Sequence, residues 1–180
     1  MKRSWRLPFR APKRRKHMAN LFFHGYKDFQ RGKLCRTETL EQKIPINIEA
    51  SGGSDFSLQE NEICSIDLFG KDSELRIYPS EKDFRESEQE VTPYSLFPIG
   101  TMDETPDGRH VEETPFIVFS GRVIQVKPHP DGDEDADYTV TVRTNDLVFD
   151  MEIAYKKPVE EGYWIMGITW LYGTVRRKEA

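Results

Sequence analysis

Leu147-Val148-Phe149-Asp150-Met151-Glu152-Ile153-Ala154-Tyr155 decides the fold class. Leu147, Phe149, Met151, Ile153 and Tyr155 fall on one side of an extended chain, and Asp150 and Glu152 on the other. That period of two is the mark of a strand with one wet face and one apolar face. Asn145-Asp146 turns the chain just before it, and Tyr138 to Thr144 alternates Tyr138, Val140 and Val142 against Thr139, Thr141 and Arg143. The two segments predict an antiparallel pair.

Working outward, Phe116 to Lys127 is long and rich in β-branched residues, with Gly121 placed where a strand can bend. Pro128 to Asp137 reads as a proline, glycine and acid loop, and Pro158 and Gly162 bound a turn before a last strand from Tyr163 to Val175. Towards the N-terminus, Ile44, Ile46 and Ile48 alternate with polar residues over Lys43 to Ala50, and Ser51-Gly52-Gly53-Ser54 ends that strand. Ile63 to Phe69 and Glu74 to Tyr78 predict a hairpin turning at Gly70 to Ser73. Glu81 to Glu90 predicts one short helix, capped by Ser80 with Asp83 three residues on. Val91 to Thr114, with Pro93, Pro98 and Pro106-Asp107-Gly108, predicts an extended connection with a tight turn. The aromatic cluster Leu21, Phe22, Phe23, Tyr26 and Phe29 fits neither period. The chain shows no repeat at the periods of solenoid proteins.

The fold class expected is mainly β, with antiparallel strands, one short helix and a small C-terminal barrel. A long strand bent near Gly121, a hairpin pair, the Gly162 turn and a closing strand ending in Leu171-Tyr172-Gly173 together resemble the oligonucleotide/oligosaccharide-binding fold, a five-stranded Greek-key barrel. Glu161-Gly162-Tyr163-Trp164-Ile165-Met166-Gly167 looks like the late strands of such barrels. With Pro93-Tyr94-Ser95-Leu96-Phe97-Pro98-Ile99-Gly100 leading into it, the chain also resembles small uncharacterised bacterial proteins. The division expected is a basic tail at 1–17, a β-rich region with its connector at 18–114 and the barrel at 115–180.

The 180 residues are 37% hydrophobic and 32% charged, with 11 Phe and 7 Tyr, a composition able to build a packed core. No apolar run reaches the length of a membrane helix and the N-terminus lacks a signal's apolar region, so a cytoplasmic location is expected. Cys35 and Cys64 have neither metal-ligand spacing nor the density of a disulfide scaffold, and read as free thiols. Residues 1–17 hold 8 of the 26 basic residues and no acid, leaving a net charge of −13 on the rest. The tail is readable as a nucleic-acid or membrane arm or as a transit-like segment, but the favoured reading places the true start at Met18.

Asp131, Asp133, Asp135 and Asp137 alternate as oxygen ligands of a hard cation do, yet Ala136 and Val142 occupy the glycine and glutamate positions of a calcium loop. A solvated loop is the favoured reading, with a metal site as the alternative. Trp164, Trp170 and Tyr172 share one face of the last strand. Buried, they are core; exposed, they stack on a ligand or partner, and core packing is favoured. His24, His110 and His129 are scattered, the cysteines lack a catalytic neighbour motif, and Ser51 to Ser54 lacks the lysine of a phosphate loop. No cofactor is expected. The function expected is a non-catalytic interaction protein whose acidic surface or sheet edge meets a protein partner. Single-stranded nucleic-acid binding is the alternative, opposed by the acidic body, and a small-molecule or metal-dependent activity is the third.

Overall fold

The computed structural model describes residues 17–87, 91–101, 105–110, 112–133 and 136–179, with the backbone alone at 72 and 129–133. The protein is mainly β. Its elements are β1 (Ala19–Phe29), β2 (Gly32–Thr39), β3 (Pro45–Ala50), β4 (Ile63–Tyr78), α1 (Glu81–Glu86), β5 (Leu96–Ile99), β6 (Phe116–Asp133), β7 (Ala136–Thr144), β8 (Leu147–Ile153) and β9 (Trp164–Arg177). The strands form one sheet in the order β1-β2-β3-β9-β4-β8-β7-β6-β5, with β1 also paired to β4 and β6 to β9.

These pairings trace two closed cycles of five strands. One runs β1-β2-β3-β9-β4 and the other β6-β7-β8-β4-β9, and both share the antiparallel β4–β9 ribbon. Each cycle is a three-stranded meander followed by one long strand, and each contains one parallel contact: Glu49 and Ala50 of β3 with Tyr172 and Gly173 of β9, and Phe69 and Gly70 of β4 with Asp150 and Met151 of β8. Corresponding registers map β4 onto β9 so that Leu68-Phe69-Gly70 falls on Leu171-Tyr172-Gly173. The same correspondence carries Ile46, Ile48 and Ala50 of β3 onto Leu147, Phe149 and Met151 of β8, all buried. The chain is built of two like halves, a period far longer than a solenoid repeat.

One continuous core joins the cycles. Ile66, Leu68, Leu171 and Val175 of the ribbon meet Leu21, Phe23, Ile46 and Ile48 from the first half and Phe119, Val142, Phe149 and Met151 from the second. The core therefore spans the division at residue 115 expected from the sequence.

β8 is as expected over Leu147 to Ile153, where Leu147, Phe149, Met151 and Ile153 are buried and Thr144 pairs with Leu147 across a two-residue turn, but the strand ends there and Tyr155 lies beyond it, half-buried. β1 fits no single period because its register against β2 shifts between Phe23 and Gly25, where Gly25 has φ 132°. The bulge resets the phase of the aromatic residues around it. The capping of α1 is also as expected, the Asp83 N–H donating to Ser80 Oγ at 3.1 Å, but the helix ends at Glu86, and 88–90 lie outside the described residues.

Two expectations are corrected. Ile63 to Tyr78 is one 16-residue strand, without the hairpin turn at Gly70 to Ser73. Its partner β9 runs alongside it from Cys64–Arg177 to Tyr78–Trp164, and a register shift between Lys71 and Glu74 absorbs the one extra residue of β4. Thr169 satisfies that bulge, its Oγ1 donating to the Lys71 carbonyl at 3.2 Å and lying 2.6 Å from Ser73 Oγ. Likewise, Pro128 to Asp137 is largely strand, since β6 extends to Asp133 and β7 begins at Ala136, which pair with each other. Pro130 falls in the stretch between Pro128 and Asp133 where the β6–β7 register shifts.

Gly167 sits where the β4 bulge presses on β9: a Cβ there would stand 2.0 Å from the Glu74 carbonyl oxygen. Gly52 has open space around its Cβ direction. Gly167→Ala is expected to lower unfolding free energy by about 1–3 kcal/mol through overpacking, with Gly52→Ala near neutral, as read by urea titration.

Candidate interaction face

Strand alternation sends Ile117, Phe119, Thr169 and Leu171 inward, so their neighbours Phe116, Val118, Ile168 and Trp170 face out. Across the β5–β6 ladder, Phe97 pairs with Val118 and Ile99 with Phe116; across β6–β9, Val118 pairs with Ile168 and Phe116 with Trp170. Two parallel apolar rows result, Phe97-Val118-Ile168 and Ile99-Phe116-Trp170. Phe97 is 54% exposed, Ile99 42% and Ile168 37%, so the rows form a wet apolar face rather than a second core. Thr92 to Thr101, which includes β5, contains no charged residue in a chain where 32% are charged.

β5 ends the sheet. The Ser120 N–H donates to the Ser95 carbonyl at 3.0 Å, so alternation places Phe97 and Ile99 in the hydrogen-bonded register with β6 and turns the main chain of Leu96 and Pro98 the other way. Pro98 has no N–H to offer on that side. The edge is thus blunted against strand addition, and β5 contributes side chains instead.

The three aromatics singled out in β9 divide between two environments. Trp164 is 2% exposed, stacked at 5.2 Å on Phe84 of α1 and met edge-on by Tyr94 at 4.8 Å. Trp170 is half-buried, held between Phe29 at 5.6 Å and Phe116 at 4.9 Å, and its Nε1–H donates to Glu49 Oε2 at 2.5 Å. Lys71 Nζ lies 4.9 Å from the Tyr172 ring centre and 5.6 Å from that of Trp170, while pairing with Glu49 at 2.8 Å. Trp164 is packed away, and Trp170 and Tyr172 border the apolar face with their rings already contacted.

Of the acidic run, Asp135 and the side chains of Asp131 and Asp133 lie outside the described residues. Asp137 is tied to the protein itself: its carboxylate accepts from the Tyr155 N–H at 2.7 Å and from Lys156 Nζ at 3.1 Å, and the Lys156 hydrogen bond leads in holding it below the usual carboxylate range. Among the described residues no three His, Cys, Asp or Glu side chains gather as a metal site.

Glu113 was not singled out in the sequence. Buried at 3% side-chain exposure, it accepts from Lys27 Nζ at 2.6 Å, Arg36 Nε at 2.8 Å and Arg36 Nη2 at 2.5 Å. Burial alone would raise its pKa, but the hydrogen bonds and charges of Arg36 and Lys27 win and hold it below the ordinary value. With Asn47 Nδ2–H donating to the Gly100 carbonyl at 3.3 Å, this pair of ties fastens the connector after β5 to β2 and β3. The only sequence signal for it is a carboxylate two residues before Pro115 in a turn-rich stretch. Cys35 and Cys64 are free and buried; burial pushes the Cys64 thiol up to about 11 and Cys35 further.

No family model, curated protein or solved structure matches this chain.

Because the folded pKa of Glu113 is lowered, its contribution to stability is complete above the unfolded value, about 4.3, and is lost as pH falls through the folded one. Glu113→Gln is expected to cost about 1–2 kcal/mol at pH 7, discounted for the partly exposed Lys27 and Arg36, with the gap to wild type narrowing in acid. Denaturant titrations across pH 3 to 7 measure it. Both thiols should ignore dithionitrobenzoate at pH 8 until denaturant is added, since only the thiolate reacts.

Proposed function

We propose that this protein is a non-catalytic interaction module that binds a protein partner through the Phe97-Val118-Ile168 and Ile99-Phe116-Trp170 rows. The carrying observation is the exposure of Phe97, Ile99 and Ile168 side by side on three paired strands. A contiguous apolar patch on a charged surface costs solubility unless another surface covers it. The chain from residue 18 onward carries a net −13, which favours a partner with an apolar centre and a basic rim. The closed five-strand cycle containing β6, β7 and β8 supports reading this half as a small barrel of the oligonucleotide/oligosaccharide-binding kind, used here to present a protein-binding face.

Single-stranded nucleic acid is the less favoured occupant. Base stacking needs open aromatic faces beside free cations, whereas Trp164 is covered by Phe84 and Tyr94, and Lys71 is engaged by Glu49.

The test compares wild type with Phe97→Asp/Ile168→Asp, both exposed positions whose change spares the core. Affinity capture from native-host extract, quantified by stoichiometry, is expected to recover one partner with wild type and at least tenfold less with the variant, at equal melting temperature. Equal recovery by both, or no stoichiometric protein, overturns the proposal. Salt-sensitive retention of single-stranded oligonucleotide by wild type would transfer the face to nucleic acid.

A further inference from the structure

The parallel contacts that close the two cycles end differently. Leaving β3, the chain keeps to β9: the Ser51 N–H donates to the Gly173 carbonyl and the Asp55 N–H to the Val175 carbonyl, both at 2.8 Å, while Ser54 Oγ accepts from the Val175 N–H at 3.0 Å. A turn through Ser51–Ser54, closed by the Ser54 N–H donating to the Ser51 carbonyl at 3.1 Å, thus covers the seam of the first cycle with main-chain hydrogen bonds. Leaving β8, the chain turns away instead, its Tyr155 N–H taken by Asp137. Beyond Gly70, no described strand pairs with β4 on its β8 side, although β4 continues to Tyr78.

The unfilled seam is a groove of about 400 Å³ lined by Ser73, Leu75, Ile77, Glu152, Ile153 and Tyr155. Leu75, Ile77 and Tyr155 pack partly against the core and Ile153 is buried, so the floor is apolar. One wall is the side of β4 facing away from β9, where every second residue directs its N–H and C=O. Glu152 is the charged residue of the lining and is exposed.

We propose that this seam accepts an extended peptide segment of a protein partner, added as a strand along Ser73–Ile77. The occupant is apolar at alternate positions, to meet Leu75 and Ile77, and carries a basic residue where it passes Glu152. The matching seam shows that such an edge takes main-chain hydrogen bonds, since Ser51 and Asp55 bond there to Gly173 and Val175, although through a turn; beside Ser73–Ile77 the strand edge of β4 and its alternate side chains Leu75 and Ile77 suit an extended occupant. Strand addition uses main-chain hydrogen bonds for affinity and alternate pockets for selectivity. Five residues of β4 span roughly 16 Å at strand rise, room for a segment of about five. The site is separate from the β5-β6-β9 face and does not rest on the proposal made for it.

A phage-displayed library of random ten-residue peptides, selected on the full chain, supplies the probe. Enriched sequences are expected to alternate apolar residues and include a lysine or arginine. The synthetic peptide is expected to slow amide exchange at residues 73–77, to bind at least tenfold more weakly when its alternate amides are N-methylated, and to lose at least tenfold to Glu152→Lys. Phe97→Asp/Ile168→Asp should leave this binding unchanged, which separates the two sites. No enriched peptide, unchanged exchange at 73–77, or equal affinity after N-methylation overturns the proposal.

Discussion

The antiparallel ladder between β4 and β9 is the constraint on which the rest of the structure depends. Each meander has three strands and cannot enclose its own apolar face; it needs two more, and the ribbon supplies them to both. β4 is the fourth strand of its own half and, at Phe69 and Gly70, the closing strand of the other, and β9 mirrors that role at Tyr172 and Gly173. Its inward side chains, Ile66 and Leu68 on one strand and Leu171 and Val175 on the other, belong to a single core. Neither half is complete alone, so folding must bring together segments about a hundred residues apart, a topology of high contact order.

That sharing sets where glycine is required. Two strands wound tightly enough to serve two cycles approach each other's main chain, and Gly167 and Gly173 lie against carbonyl oxygens of Glu74 and Asp67 with no room for a Cβ. Gly121 stands in the same relation to the Arg143 carbonyl where β6 meets β7. The last of these was legible as a bending point. The others were visible only as glycines in a strand, because close approach depends on what lies across the sheet.

Strands whose faces differ in polarity were legible for the same reason that they are stable. β8 alternates cleanly and β7 does so in its sequence, though Thr141 is buried between Val140 and Val142, and their two-residue turn left one register. β4 was misread because Gly70-Lys71-Asp72-Ser73 has the composition of a turn, while its actual role as a bulge is set by β9, nearly a hundred residues away. The apolar face was missed for a related reason. Leu96-Phe97-Pro98-Ile99 is apolar on both sides, and nothing local says that its outer side stays wet. Glu113 has even less local signal, since its partners Lys27 and Arg36 come from β1 and β2.

The duplicated plan also explains why the molecule can carry two unlike surfaces. Equivalent positions in the halves face the same geometric problem, an open seam beside a parallel contact, and have answered it with different local chemistry. After β3, Ser51 to Ser54 are small and polar, and their flexible backbone can follow β9 while Ser51 and Ser54 side chains bond to Thr174 and Val175. After β8, Ala154-Tyr155-Lys156 carries bulk and charge whose partners lie on β7, and Asp137 draws the chain that way with two hydrogen bonds. With Asp137 drawing the chain after β8 toward β7, no described strand pairs with the β8 side of β4 beyond Gly70, and an apolar groove lies there. The acidic run that looked most like a metal loop in the sequence has, at its one described carboxylate, a structural role that opens a seam.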